Sequence, residues 1–162
     1  MKPSTLTHAA FIARFGPVYE ASPWVAEGAW PAAEAGRLDG PGALAQAMRA
    51  EVDAASREMQ LALIRAHPEL AGRARMAQAS AQEQSGAGLD RCSAEEFAAF
   101  QRLNGAYNAR FGFPFIVAVK GLTRADILAA FEARLANDPK TEFTTAIDQI
   151  HRIAGFRLAD LA

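Results

Sequence analysis

Between Ser93 and Pro114 the chain carries, in order, a start signal, an apolar stripe and a stop signal for one helix. Ser93-Ala94-Glu95-Glu96 places a glutamate three residues after a serine, a capping box in which two otherwise unmatched backbone N–H groups are satisfied. Phe97, Phe100, Leu103, Tyr107 and Phe111 follow at three- and four-residue steps, which is one face of a helix. Gly112 and Pro114 stop it. This is the clearest element in the sequence, and weaker copies of the same grammar recur on both sides of it.

Thr5 or Thr7 can cap a first helix through Phe11, Ile12 and Phe15, ended by Gly16-Pro17. Ser22-Pro23 reads as a cap followed by proline at the first helical position. Trp24, Val25 and Trp30 follow and supply bulk. After a break at 37–42, a longer helix runs from about Ala43 to Ala66, with a possible interruption at Asp53–Ser56. Val52, Met59, Leu63 and Ala66 fall close to one face of it. Glu69 to Ala79 reads as a short helix carrying Arg73 and Arg75. Thr123 caps another, with Ile127, Leu128, Phe131 and Leu135 inward. Asp138-Pro139 caps the last, with Phe143, Ile147, Ile150 and Ala154 inward, and Gly155 is expected to end or loosen it.

The chain has 162 residues, enough for one domain that needs neither disulfide nor metal to hold together. Its formal net charge of −1 gives no global field toward nucleic acid or an anionic membrane. No stretch is long and apolar enough to span a bilayer, and the N-terminus does not read as a signal peptide. The single cysteine, Cys92, allows no internal disulfide, which suits a reducing cytoplasm. It has no histidine near it in sequence and reads as an ordinary free thiol. No His, Cys and carboxylate cluster has zinc spacing.

The stretch richest in ligand-handling groups runs from His67 to Gln84. Proline disfavours helical geometry in the residue before it, so His67 falls at a helix end, where its ring can point into a cleft. An imidazole there can move a proton near neutral pH, or it can simply cap the helix. Glu83 can act as acid or base, and Ser80 and Gln84 can hold a polar ligand. Ser80 with Glu83 is also a capping-box pattern. Both readings stand on spacing alone.

Phe115-Ile116-Val117-Ala118-Val119 is a short apolar run whose β-branched content favours extended backbone. No convincing second strand exists to pair with it. Its N–H and C=O groups must then be met by a bound polar ligand, or by turns and side chains. His151, at the edge of the last stripe, reads as structural. Arg157, near the C-terminus, is expected to be solvated on context alone.

Taken together, these segments resemble one family. Ala66-His67-Pro68-Glu69-Leu70 carries the likeness, as do Ser80-Ala81-Gln82-Glu83-Gln84 and the following Gly86-Ala87-Gly88-Leu89. Leu103-Asn104, Tyr107, the run from Arg110 to Phe115, and the closing Ile153 to Leu158 complete it. The sequence is similar to 2-oxo-4-hydroxy-4-carboxy-5-ureidoimidazoline (OHCU) decarboxylases, which act third on the route from urate to allantoin. Gly155-Phe156 is a minor departure from the family pattern.

The resemblance implies an all-α bundle. With the segments read above, that makes about eight helices in one domain over 1–162, with a short extended segment near 115–119. It implies a cytoplasmic homodimer acting on a small molecule without metal or organic cofactor. It implies His67 as general acid/base, Glu83 as its partner in proton handling, and Arg157 as the holder of the substrate carboxylate. These three are expected to converge on one cavity. Pro68, the residues Ser80, Ala81, Gln82, Glu83 and Gln84, and Phe115, Ile116, Val117, Ala118 and Val119 would line the pocket, with Gln84 on the ring or ureido group. The expected product is (S)-allantoin and CO2. A related decarboxylase for another ureido acid, and a silent helical interaction module of the same fold, are the rival readings.

Overall fold

The computed structural model describes residues 1–72 and 78–161, except for the side chain of Gln78. It is all-α: among the described residues there are eight α-helices, short 3-10 turns and no strand. The chain groups into two compact units, residues 1–66 with 151–162, and residues 67–150.

The first unit holds α1 (His8–Phe15), α2 (Trp24–Glu34), α3 (Ala43–Ala54) and α4 (Arg57–Ala66), together with the last turns of α8 (Pro139–Asp160). Thr7 caps α1 by accepting the Ala10 N–H. Ser22 does not cap α2: its hydroxyl turns back to the Glu20 carbonyl at 2.7 Å, and Pro23 takes the cap position without a side-chain bond. Ala21, at φ 44°, makes the left-handed turn that sends the serine the other way. The expected interruption of the third helix falls at Ala55–Ser56, because Ser56 accepts the Met59 N–H and starts a new helix. Gln60 bridges the break by donating to the Val52 carbonyl at 2.9 Å. That break rotates the stripe. Val52 and Leu63 are buried, Ile64 joins them, and Met59 is exposed rather than inward. Phe11 sits between Phe15 and Trp30, with ring centroids 5.0 and 5.2 Å away.

The second unit holds α5 (Gln78–Gly86), α6 (Ala94–Phe111), α7 (Arg124–Leu135) and the first turns of α8. The predicted caps of α6 and α7 form. Ser93 and Glu96 make a reciprocal capping box on α6, and Thr123 and Asp126 make one on α7. Caps of this kind are worth about 0.5–2 kcal/mol each. Gly112 ends α6 at φ 75°, a conformation glycine adopts without penalty. Phe100, Leu103 and Tyr107 are buried along the expected stripe. Phe115 stacks on Phe131 with centroids 4.0 Å apart, and both rings lie edge-on to Tyr107. Glu69–Gly72 is turn rather than helix, and Arg73 and Arg75 lie outside the described residues. Gly155 does not end α8, which continues to Asp160. No helix among the described residues is long and apolar enough to cross a membrane.

Candidate active site

Helix α4 stops at Ala66, and the next residue is His67, buried to 7% exposure, with Pro68 half-buried behind it. A three-residue turn follows, and side-chain amides hold its backbone. Gln84 accepts the Ala71 N–H at 2.9 Å and donates to the Glu69 carbonyl at 3.2 Å. Asn104 donates to the Leu70 carbonyl at 2.9 Å. Gln101 donates to the Ala71 carbonyl at 3.3 Å. Outside the backbone, Asn108 donates to the Glu69 carboxylate at 2.7 Å. Ala71 needs this support, since it sits at φ 53°, a region that disfavours any residue with a Cβ.

Helix α5 carries the second group of expected residues. Ser80 lies inside the helix rather than capping it. At 3.6 residues per turn, Ser80, Glu83 and Gln84 share one face. Ser80 and Gln84 are buried and Glu83 is half-buried, while Ala81 and Gln82 turn outward and are exposed. Gln84 has each end of its amide engaged, so it can reach a ligand only through its second N–H or second lone pair.

Residues 115–119 lie outside any helix or strand and are mostly buried. Side chains and a turn satisfy its backbone at three points. Arg134 donates to the Ile116 carbonyl. Gln149 accepts the Ala118 N–H at 2.9 Å, and the Val119 carbonyl accepts from Leu122 at 3.0 Å. Arg134 also covers the Phe115 ring at 4.3 Å, a cation–π contact, and bonds Glu142 through Nε at 2.9 Å. Glu142 is fully buried and accepts from Tyr107 and Asn137 as well. Burial, followed by that bond to Glu142, pushes the Tyr107 hydroxyl well above its usual pKa, so the phenol stays a donor. Nothing in the sequence reading had identified this cluster. The available signal was a glutamate in phase with the buried stripe of α8, at Glu142, Ala146 and Ile150.

Arg157 belongs to the first unit, whereas His67, Glu83 and residues 115–119 belong to the second. It is not solvated. It is in phase with Ile150 and Ala154 on α8, is 8% exposed, and pairs through Nη2 with buried Glu20 at 2.9 Å. Its Nη1 also reaches the Val18 carbonyl at 3.3 Å. Nearby in the same unit, the Tyr19 hydroxyl meets His151 Nδ1 at 2.8 Å, and His151 Nε2 meets Asp53 at 2.9 Å. Burial raises the Tyr19 pKa, so the phenol keeps its proton beside the imidazole, and His151 bridges Tyr19 to Asp53. Tyr19 and His151, with Gln46, Arg49, Gly155 and Leu158, border a cavity of about 220 Å³.

Two buried polar atoms among the described residues have no partner, Asn104 Oδ1 and Arg134 Nη2. Leaving such an atom unmatched costs about 1–3 kcal/mol, so each calls for a reason. Cys92 donates weakly to the Leu89 carbonyl, and burial raises its thiol pKa, which holds it in the unreactive form.

In chemical terms the second unit presents a buried imidazole on a fixed turn and a helix face bearing a hydroxyl, a carboxyl and an amide. That set can move a proton and hold a polar heterocycle. The OHCU decarboxylase family model matches residues 4–159, across both units. The chain belongs to the OHCU decarboxylase family. An OHCU decarboxylase of Haloferax volcanii is 47% identical over 93% of this chain and 88% of its own length. A crystal structure of (S)-allantoin synthase aligns with a TM-score of 0.80 and 33% identity, over 98% of this chain and 52% of that one. The chain thus spans about half the length of that protein. A crystal structure of OHCU decarboxylase in the presence of (S)-allantoin aligns at 0.64 with 26% identity, over 83% of this chain and 92% of that one.

Proposed function

We propose that this protein decarboxylates OHCU to (S)-allantoin and CO2 during urate degradation, as a cofactor-free carboxy-lyase working as a cytoplasmic homodimer. The observation that carries the reading is the buried His67 at the end of α4, followed by a clamped turn, in a chain that matches the family from residue 4 to residue 159. Loss of CO2 breaks the bond between the carboxylate and the ring carbon and leaves the electron pair on that carbon. The adjoining carbonyl and imine must accept that pair until a proton arrives.

In this reading His67 is the general acid/base and Glu83 its proton-handling partner, a contribution of about 10²–10⁴-fold. Pro68, Ser80, Gln84 and the segment Phe115, Ile116, Val117, Ala118 and Val119 line the substrate pocket, with the exposed Ala81 and Gln82 at its rim. Arg157 receives the substrate carboxylate with a planar fork of donors. Its pairing with Glu20 tempers that charge. This suits a group that must not over-stabilise the ground state, since only tighter binding of the transition state accelerates the reaction. A single placed acid protonates one face, which gives one enantiomer.

The test is to generate the unstable OHCU in situ, add the protein, and follow ultraviolet decay and product chirality. Faster decay with formation of the (S) product is expected. Decay at the spontaneous rate, giving racemic product, would remove the reading.

A further inference from the structure

We propose that Asn104 is a positioning residue for His67: its amide anchors the turn that follows the histidine, while its own oxygen stays buried without a donor. Asn104 is 3% exposed on α6. Its Nδ2 donates to the Leu70 carbonyl at 2.9 Å, and its Oδ1 has no partner. Turned the other way, the amide would set oxygen against oxygen and strand an NH2 group, so the chemistry fixes its orientation.

A leucine at 104 would have nearly the same size and good helix propensity. It would remove the stranded oxygen of the side chain and leave the Leu70 carbonyl unmatched instead. One unmatched oxygen replaces another, so stability gives asparagine little advantage here. What asparagine adds is a hold on the turn.

That hold belongs to a set. Gln84, Gln101 and Asn104 together grip the backbone of three consecutive residues, Glu69, Leu70 and Ala71. The strained Ala71 lies at the far end of that stretch. Pro68, with its fixed φ, is the single residue between His67 and the gripped backbone. The imidazole is therefore placed by a stiff link between a helix end and a clamped turn. Misplacing a reacting group by about 1 Å can cost about 10²-fold in rate, so the clamp acts on turnover more than on affinity. The inference rests on the reading of His67 as the acid/base group.

The test is Asn104→Leu in the full-length chain. Its Tm is expected to stay close to that of wild type and its KM to change little. Its kcat is expected to fall about tenfold or more, and amide exchange over residues 69–72 to quicken. Gln101→Leu, which removes the longest of the four bonds, should show the same pattern more weakly. A folded Asn104→Leu with wild-type kcat overturns the proposal. So does an Asn104→Leu that fails to fold, or one whose kcat loss merely follows a fall in Tm, because asparagine would then be present for stability. If the wild-type protein itself gives no acceleration, the reading of the active site fails, and amide exchange over the turn alone decides whether Asn104 anchors it.

Discussion

Arg134 Nε lies 2.9 Å from Glu142 Oε1, and Glu142 is completely buried. The same guanidinium bonds the Ile116 carbonyl, so one ion pair in the second unit ties a helix start to the segment 115–119. Removing one partner of a buried pair strands the other, which costs about 3–5 kcal/mol. Glu142→Ala should therefore lower Tm by about 10 °C, at about 2–4 °C per kcal/mol for a chain of this size. Thermal unfolding checks it. Glu142→Gln, which keeps a neutral acceptor for Tyr107 and Asn137 but removes the charge, should recover only part of that loss, and a Glu142→Gln variant with wild-type Tm would count against the ion-pair account.

Arg157 offers a way to part structure from chemistry. Arg157→Met strands the buried Glu20 and should be strongly destabilising, by about 3–5 kcal/mol. Adding Glu20→Gln removes the stranded charge and should recover much of the Tm. Under the proposed role of Arg157 the double variant still shows a raised KM for the carboxylate substrate. A double variant with both Tm and KM near wild type would leave Arg157 a structural residue only.

These two clusters also show how far the sequence could be read. The helices between Ser93 and Asp160 were legible because each carries its own local start signal, and Ser93–Glu96, Thr123–Asp126 and Asp138–Thr141 all form as caps. Ser80–Glu83 has the same pattern and is not a cap, since Ser80 already lies within α5. Ser22 fails for a different reason, because the left-handed Ala21 turns it away. Of the candidate site, His67 at a helix end followed from the proline after it. The clamp on Glu69–Ala71 did not, because Gln84, Gln101 and Asn104 act across 13 to 34 residues of sequence. Arg157 reads as solvated on its local context and Glu142 carries no local signal; what marks both is their phase with the buried stripe of α8.

Four hydrogen-bonded carboxylates contribute to the acid limb of stability. Asp39 is held below the usual carboxylate range by hydrogen bonds from Ser4, Glu96 by the Ser93 backbone, Asp126 by Thr123 and Asp138 by Thr141. Each binds its proton more weakly folded than unfolded. Their contribution is full above the unfolded carboxylate values of about 3.9–4.3 and is lost as pH falls through the lower folded values. Tm measured from neutral pH downward should stay level and then drop on the acid side of about pH 4. Asp126→Asn should make that drop shallower, and an unchanged acid limb in this variant would contradict the assignment.

The proposed chemistry passes through one imidazole. The most direct measurement compares turnover of OHCU generated in situ by the wild-type protein and by folded His67→Ala. The account predicts that wild type accelerates the decay and yields (S)-allantoin, and that His67→Ala loses about 10²-fold or more in kcat while its thermal unfolding stays close to wild type. A folded His67→Ala that turns over at the wild-type rate would contradict it.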